Sequence, residues 1–299
     1  MLLKPLKYKH ISEPTNEILK YIDSRRKGQI RSLKTKWRKF NDQCMGGIEP
    51  NTIYTVAGIS GSGKSSFVNS LETDLFDLND KNEFIVLSFS FEMLSSKQVG
   101  RKLSYKLNKT TQELYSGYTN YKLSDYDYKK VQNTAKNIEN YPIYYVDMPG
   151  TVDEIRHTIL EFSKESFAKN KRLIIMLDHT LLTKGKSGEA ERSILANLQY
   201  MFMEIKKYNK NTIIQLSQMN RDIEAKERIV NNSMHFPMRR DIFGGDSIFQ
   251  ASDYLIVLHR PEMLGITEYG MSSLPTKDLV YMHFLNKNEL VYLKHYMEN

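Results

Sequence analysis

The sequence predicts an α/β protein with a mostly parallel central sheet and helices on both faces. From residue 50 onward, short apolar runs alternate with helix-length segments, at 53–57, 84–90, 143–147, 173–178, 212–217 and 254–259. Strands that are apolar along most of their length are typical of a parallel sheet buried by helices on both sides. Two further runs, 280–286 and 290–295, flank a polar turn and predict a C-terminal β-hairpin.

Bulk composition narrows the class of protein. With 299 residues, 40% hydrophobic and 26% charged, the chain is long enough for a large core, and disorder and collagen-like structure are excluded. No run approaches the roughly 20 apolar residues that span a bilayer, and no secretory signal stands at the N-terminus. The single cysteine, Cys44, cannot form an internal disulfide, so we expect a cytoplasmic protein without a membrane partner. A net charge of +8 favours an anionic partner such as nucleic acid.

Residues 1–30 are predicted to form an N-terminal arm ahead of a main domain at 31–299. A helix can begin near Ser12 and end at Gly28, with its apolar side chains Ile18, Leu19 and Ile22 on one face. A lone helix of this length is marginal in water, so it should dock on something. Its own domain and a neighbouring subunit are both open as the partner. Trp37, the only tryptophan, also has two open interpretations: it is either an anchor at an interface or a residue of the core.

The octapeptide at 58–65, GISGSGKS, fits the phosphate-binding pattern G-x-x-x-x-G-K-[ST]. Glycines let backbone N–H groups turn inward around phosphates, Lys64 supplies a charge to the β and γ oxygens, and the Ser65 hydroxyl can hold magnesium. The motif follows one predicted strand and opens an amphipathic helix, as this chemistry requires. The sequence therefore predicts a site for ATP and Mg²⁺. Its phosphate contacts are Gly58, Ser60, Gly61, Ser62, Gly63, Lys64, Ser65 and Ser66.

Polar residues follow three other predicted strands. Asp178 ends an apolar run and is suited to ordering the magnesium shell. Glu92 stands just past another strand, where it is either the base that activates water or a solvated glutamate at a helix start. Gln218 follows a third strand and its amide can sense the γ-phosphate. Parallel strands bring these residues to one edge of the sheet. His179 has no companion at metal-ligand spacing, so we interpret it as an ordinary packing or surface histidine.

Taken in order, these motifs resemble the ATPase domain of DnaB-type hexameric replicative helicases, a RecA-like P-loop core, from about residue 31 to the end. SFEM at 90–93 is similar to the family's Ser-Leu-Glu-Met, and LSQMNR at 216–221 to its Ser-Gln-Leu-Asn-Arg. GDSIFQASD at 245–253 resembles Ser-Gly-Ser-Ile-Glu-Gln-Asp-Ala-Asp, and HRPE at 259–262 resembles the Tyr-Arg-Asp-Glu that follows.

The resemblance implies roles that spacing alone leaves open. It makes Glu92 the catalytic base, Asp178 the magnesium-binding carboxylate, and Gln218 the link between the γ-phosphate and the DNA loops. It also implies a homo-oligomer, a hexameric ring that hydrolyses ATP at subunit interfaces, translocates 5′ to 3′ on single-stranded DNA and unwinds duplex. A primase or a helicase loader is then an expected partner.

Two features depart from the family pattern. The family's C-terminal hairpin carries a Lys-x-Arg that reaches the neighbouring subunit's γ-phosphate, and here Leu285 and Lys287 occupy those positions. Lysine cannot reproduce the bidentate contact of arginine, so Lys287 is either a weaker catalytic finger or a solvated hairpin lysine. Only about 30 residues precede the core, so we expect a phage-like chain without the family's N-terminal collar domain.

A ring that moves on single-stranded DNA needs basic loops on the nucleotide edge of the sheet. Two segments have this position: 183–188 and 221–245. Gly244 and Gly245 permit close approach of a phosphate. The predicted DNA contacts are Lys184, Lys186, Arg221, Arg239, Arg240 and Gly245, with Lys226 and Arg228 in the same segment.

Two other functions stay open at this point. One is a RecA/RadA-like recombination or annealing ATPase that forms filaments. The other is a DNA-binding ring subunit that binds ATP with little turnover, for which the missing Lys-x-Arg argues. The abundance of Lys, Asn and Tyr suggests an AT-rich genome, and hence a bacterial or phage-infected bacterial cell.

Overall fold

The computed structural model describes residues 7–117, 122–185, 188–209, 211–231, 234–286 and 289–294. The helices in these ranges are α1 (Ser12–Arg26), α2 (Arg38–Gln43), α3 (Lys64–Leu78), α4 (Ser95–Leu107), α5 (Thr111–Tyr115), α6 (Asp125–Ile138), α7 (Val152–Phe162), α8 (Glu191–Asn209), α9 (Lys226–Ile229) and α10 (Gly245–Ala251). The strands are β1 (Ile53–Gly58), β2 (Phe84–Ser90), β3 (Ile143–Val146), β4 (Arg172–Asp178), β5 (Thr212–Gln218), β6 (Tyr254–His259), β7 (Glu268–Tyr269), β8 (Leu274–Pro275), β9 (Leu279–Phe284) and β10 (Glu289–Lys294).

One large sheet organises the described part of the chain. Its strand order is β10-β9-β6-β1-β5-β4-β2-β3, and β7 pairs with β8 in a separate two-stranded sheet. All pairings from β6 to β3 are parallel, whereas β9 runs antiparallel to both β6 and β10. The predicted mostly parallel sheet and C-terminal hairpin are confirmed.

Helices cover both faces of this sheet because its strands are apolar on both sides. Along β4, Ile174 belongs to the core that contains Phe67 of α3, whereas its neighbour Ile175 belongs to the core that contains Ile159 of α7 and Phe202 of α8. Successive residues of a strand point to opposite faces, so one continuous apolar run supplies two cores. Trp37 stacks on Phe67 with 4.5 Å between ring centroids, which supports its interpretation as a core residue.

Strand ends differ from the predicted limits by one or two residues for specific reasons. β3 stops at Val146 because Asp147 turns away and accepts hydrogen bonds from the backbone N–H and the hydroxyl of Ser95, each at 2.9 Å. β9 stops at Phe284 because the Asn286 side chain accepts a hydrogen bond from the Leu255 N–H at 2.6 Å. Both changes leave the predicted order of elements intact.

The N-terminal helix α1 stands apart from the core. Every one of its residues keeps some exposure to solvent, and the apolar side chains Ile18, Leu19 and Ile22 are each more than half exposed. An ion pair between Arg25 and Glu49, at 3.2 Å, ties its end to the domain. Packing of this apolar face on its own domain is therefore wrong. Among the described residues, no helix has both the length and the apolar character that crossing a bilayer requires.

Candidate active site

The segment between β1 and α3 forms a phosphate-binding loop. Gly61 and Gly63 adopt positive φ angles of 76° and 93°, which other residues rarely adopt. Gly58 is equally constrained, because an added Cβ would lie 2.3 Å from the Ser62 hydroxyl oxygen and 2.6 Å from the Leu258 carbonyl oxygen. The loop ends at the first turn of α3, where free backbone N–H groups favour an anion.

Lys64 is enclosed by this loop. Its Nζ donates hydrogen bonds to the carbonyl oxygens of Gly58, at 2.8 Å, and of Ile59, at 2.9 Å. Burial lowers the pKa of Lys64, and the charges of Glu92 and Asp178 oppose that shift. Among the described residues, no carboxylate forms an ion pair with it. A bound phosphate would supply the missing counter-charge.

Asp178 and Glu92 stand side by side at the carboxyl ends of β4 and β2. Ser90 pairs in register with Asp178, and the Phe91 N–H donates to the Asp178 carbonyl oxygen at 2.8 Å. Burial, followed by the nearby charge of Glu92, raises the pKa of Asp178 to about 6, while Ser65, Arg101 and Lys64 oppose the shift. The half-buried Asp178 therefore carries a charge that a cation would stabilise.

The donor set suits Mg²⁺. In the described part of the chain, Asp178 Oδ1 is enclosed without a hydrogen-bond partner. The Ser65 side chain forms a hydrogen bond with the same carboxylate group, which lowers its pKa. Magnesium prefers one or two protein oxygens together with phosphate and water oxygens, rather than a cage of protein ligands. Within the described ranges, no group of three or more His, Cys, Asp or Glu side chains is placed to hold a metal, which agrees with a site completed by phosphates.

A cavity of about 480 Å³ lies at the carboxyl ends of the strands. Asp178 is not among the residues that line it but lies beside it, next to the wall residue His179 and hydrogen-bonded to Ser65. The walls of the cavity include the predicted residues Ser60, Gly61, Gly63, Lys64, Ser65, Ser66, Glu92 and Gln218. Gln218 reaches it because β5 pairs with β1 so that Gln218 lies opposite Gly58. The side chain of Glu92 is exposed, whereas Ser62 is fully buried behind the loop, with a hydroxyl oxygen that meets no partner among the described residues.

Sequence reasoning missed three other residues of this cavity: Arg101, His179 and Arg260. Arg101 Nη1 and Arg260 Nε are enclosed, and no described residue accepts a hydrogen bond from either. His179 Nδ1 accepts a hydrogen bond from the Leu181 N–H at 3.2 Å, and burial together with the charge of Lys64 lowers its pKa. The structure thus places His179 in the cavity wall, although its spacing marked it only as an ordinary histidine.

A comparison with families of known proteins decides the relationship. Residues 11–293 match the family described as DnaB-like helicase C terminal domain. The chain belongs to this family. The resemblance drawn from the sequence motifs is therefore confirmed, and so is the RecA-like P-loop fold that it implies.

Two solved structures that share this fold are similar to the chain. One, described as an ATPase domain, superposes with a TM-score of 0.75 at 17% sequence identity, covering 97% of this chain and 98% of that one. The other, a DnaB-like replicative helicase studied with its interactions with primase, superposes with a TM-score of 0.72 at 17% identity. The match covers 97% of this chain and 66% of that helicase. A search of curated proteins found no match.

The DnaB-like domain has a second, basic cleft of about 820 Å³. Three of the predicted DNA contacts, Arg239, Arg240 and Gly245, line it together. Arg192, at the start of α8, lines the same cleft and was missed by sequence reasoning. Arg239 also pairs with the exposed Asp246 at 2.8 Å. The three arginines make this cleft suited to a phosphate backbone.

Other predicted DNA contacts lie elsewhere. Lys184 lines a separate cavity of about 280 Å³, and its N–H donates to the Gly150 carbonyl oxygen at 2.9 Å. Arg221 is exposed and lies outside the residues that line the basic cleft. Lys186 lies outside the described residues, and so does Lys287, the candidate catalytic finger.

Arg228 corrects the prediction for the segment 221–245. It is buried, and its guanidinium donates to both carboxylate oxygens of Asp241, at 2.6 Å and 2.9 Å. It also donates to the carbonyl oxygens of Met234 and Phe236, at 3.3 Å and 2.7 Å. Arg228 holds the segment together and is not available to DNA. Its partner is thirteen residues away in the chain, so no local pattern marked it as structural.

Proposed function

We propose that this chain is the ATP-hydrolysing motor of a DNA helicase. One observation carries the proposal: four parallel strands end around a single cavity lined by the phosphate-binding loop, Glu92 and Gln218, and Asp178 lies beside that cavity at the end of β4, hydrogen-bonded to Ser65. Membership of the DnaB-like family supports DNA unwinding as the use of that site.

Each group in the cavity has a role that its surroundings support. Lys64 exchanges its two carbonyl contacts for the β and γ phosphate oxygens, which carry full negative charge. Ser65 and Asp178 would hold a magnesium ion, which would supply positive charge next to the transferred phosphoryl group. The phosphates in turn lie against the backbone of the loop, from Gly58 to Ser66.

Hydrolysis needs a base and a sensor of the γ-phosphate. The exposed Glu92 is next to Asp178 in the sheet and is placed to orient or deprotonate water. Gln218, on the other side of the loop, is placed to follow the γ-phosphate and pass its state to the segment after β5. Arg101 and Arg260 offer enclosed N–H groups, without acceptors in the described ranges, for the remaining anionic oxygens.

Single-stranded DNA is assigned to the basic cleft. Arg239, Arg240 and Gly245 form its predicted contacts, and Arg192 extends it. Lys184 and Arg221 lie outside the cleft, and we propose that the strand continues over their loops. Lys186, which lies outside the described residues, is a further proposed contact. Because phosphate contacts release counter-ions, DNA affinity should fall steeply with salt.

The exposed apolar side chains of α1 support the proposal of a homo-oligomeric ring. These side chains are exposed on the chain to which they belong, and a second copy would cover them. The segment 1–30 would then act as an arm between subunits, and Lys287 as the group that meets the neighbour's γ-phosphate. A primase or loader is a proposed partner, because the related replicative helicase was studied with primase.

The test is unwinding of a forked duplex by the natural chain and by Glu92→Gln. We expect the variant to bind ATP normally and to lose about 100-fold or more in unwinding and phosphate release, the range for a general base. Glu139→Gln, which changes an exposed carboxylate just past the end of α6, serves as the matched control. Undiminished unwinding by Glu92→Gln would remove that residue from the mechanism.

A second candidate is a DNA-binding ring subunit with little turnover. Leu285, at the first position of the family's Lys-x-Arg, packs against an apolar cluster around Ile248 and Val257. It therefore offers no charge to a neighbouring site. Phosphate release measured with and without single-stranded DNA separates the two functions: bound ATP with no release in either condition supports the passive subunit.

A further inference from the structure

A third large cleft, of about 1030 Å³, lies at the opposite edge of the sheet from the nucleotide. Its walls include the residues at the amino ends of β4 and β5, Arg172 and Asn211, and the connector 28–31 that follows α1. We call it the amino-edge groove. Strands of seven residues separate the two edges by about 20 Å. A nucleotide in its cavity or a DNA strand in the basic cleft would therefore not reach this groove.

The groove is strongly cationic. Four basic side chains from the described ranges line it, against the single acidic side chain of Glu83. The basic residues are Arg31, Lys169, Lys171 and Arg172. Lys169 and Arg31 are exposed, so solvent reaches the rim, whereas Arg172 is only partly exposed. Charge of one sign in a concave surface attracts an anionic partner.

Arg172 is a partly buried cation, and one nitrogen of its guanidinium group has no hydrogen-bond partner among the described residues. Its Nε and Nη2 donate to the Thr212 hydroxyl oxygen, at 3.2 Å and 2.7 Å, and Nη2 also donates to the Ile48 carbonyl oxygen at 2.9 Å. Nη1 is enclosed and has no partner in the described part of the chain. The nearby carboxylate of Glu49 is already paired with Arg25 at 3.2 Å. Burial lowers the pKa of Arg172 to about 10, so the guanidinium stays charged at neutral pH.

A second donor beside it is also unused. Asn211 is 1% exposed, and no described residue accepts a hydrogen bond from its Nδ2. Enclosed N–H groups nearly always have a hydrogen-bond partner in folded proteins, so two such donors in one groove are suited to acceptor oxygens that water or a ligand brings. Both are donors, and so are the neighbouring ammonium groups. The ligand must therefore be rich in acceptor oxygens.

Protein carboxylates fit this groove better than nucleic acid. Aromatic side chains on which bases stack are the usual feature of single-strand binding, and none occurs among the described residues that line the groove. Aliphatic residues alternate with the basic ones instead: Ile30, Leu33, Pro50, Ala168 and Leu173. Mixed aliphatic and cationic walls match a peptide that carries both carboxylates and apolar side chains.

We propose that the amino-edge groove binds an acidic peptide segment of a protein partner, with its carboxylates directed at Arg172, Asn211 and the two lysines. Occupancy would touch the connector 28–31 and so act on the end of α1. The groove would be filled while nucleotide and DNA occupy the other edge.

The test measures fluorescence anisotropy of a fluorescein-labelled decaglutamate peptide added to the full chain, with saturating oligo(dT) present to fill the DNA cleft. We expect salt-sensitive binding that weakens at least about tenfold in Lys169→Glu/Lys171→Glu. The matched control is Lys129→Glu/Lys136→Glu, which reverses two exposed lysines of α6 and should retain the peptide. Phosphate release should be unchanged in both variants, which also shows that they fold.

Three results would overturn the proposal: no peptide binding by the natural chain with or without oligo(dT), equal weakening in both double variants, or peptide binding that is seen without oligo(dT) and lost when oligo(dT) is added. The last, with oligo(dT) binding lost in Lys169→Glu/Lys171→Glu, would make the groove a nucleic-acid site. Arg239→Glu/Arg240→Glu keeps this separate from the proposed DNA function. If that variant still binds oligo(dT), the DNA assignment fails, while the peptide result stands on its own.

Discussion

The nucleotide cavity and the segment 226–241 each enclose a cation, but the two cations have different kinds of partner. Arg228 in the segment is held by both oxygens of Asp241 and by two carbonyl groups. Lys64 in the cavity contacts carbonyl groups, and Asp178 nearby keeps one oxygen without a partner among the described residues. Charge that holds the fold is paired within the chain, whereas charge that meets a ligand is left incomplete in a space open to that ligand.

Arg228→Met should have the largest effect on stability. Removing the guanidinium leaves the fully buried Asp241 without its cation, which should cost about 3–5 kcal/mol of the free energy of unfolding. Chemical denaturation measures the loss. Lys226→Met, two residues away and exposed, should change stability by less than about 0.5 kcal/mol. Equal stability of the two variants would show that the pair does not hold the segment.

The opposite pattern is expected for Lys64→Ala. Within the described ranges its side chain contacts two carbonyl groups and no carboxylate, so the melting temperature should change little. Loss of the charge that faces the phosphates should lower the rate of phosphate release by about 10²–10³-fold, as for removal of a key electrostatic donor. A large drop in melting temperature with turnover preserved would contradict the assignment of Lys64 to the ligand.

The buried His235, in the segment 226–241, should make the stability of the chain depend on pH. Burial lowers the pKa of His235 to about 4, and its ring packs 4.9 Å from His259; the four ring nitrogens of this pair have no partner in the described part of the chain. The unfolded chain takes up protons near pH 6.5 and the folded chain only near 4, so stability falls as pH falls through that window. Arg228 reinforces this shift and Asp241 opposes it.

In His235→Phe, the stability lost between pH 7 and pH 5 should be smaller by about 1–2 kcal/mol. Denaturation curves at both pH values measure it. His157→Phe, which removes an exposed histidine of α7, provides the control and should follow the natural chain. An unchanged pH dependence in His235→Phe would mean that the pKa of this ring is nearly the same in the folded and unfolded chains.

The contribution of Asp178 to the pH dependence of stability should have the opposite sign. Its pKa is raised to about 6 in the folded chain, above the unfolded value near 3.8, so the folded state binds the proton more tightly. The resulting cost is present above pH 6 and disappears as pH falls towards 4. Without nucleotide, Asp178→Asn should therefore gain about 1–2 kcal/mol at pH 8, after allowance for partial exposure, and less at pH 5. A loss of stability at pH 8 would contradict it.

Local patterns were enough to predict most of the fold and the centre of the site. The strand runs are continuous and the phosphate loop is eight adjacent residues, so each signal is complete within a short window. Asp178, Glu92 and Gln218 each lie at or just past the end of a strand, and parallel pairing brings strand ends together without further information.

Residues whose role depends on distant partners were not predictable in this way. Arg101 lies inside α4 with nothing in its neighbourhood to separate it from a surface arginine, and only the packing of α4 brings it to the cavity. Arg228 was grouped with DNA contacts because its charge is visible in the sequence and its burial is not. Arg172 and Asn211 precede apolar runs and look like ordinary strand-start residues.

The bare surface of α1 has a consequence for how the chain behaves in solution. An isolated helix of fifteen residues gains little from its own backbone, so its order depends on whatever covers Ile18, Leu19 and Ile22. Helical content would then rise and fall with protein concentration while the sheet stays folded. On dilution α1 would lose its helical structure while the core stays folded, and on assembly it would become helical again.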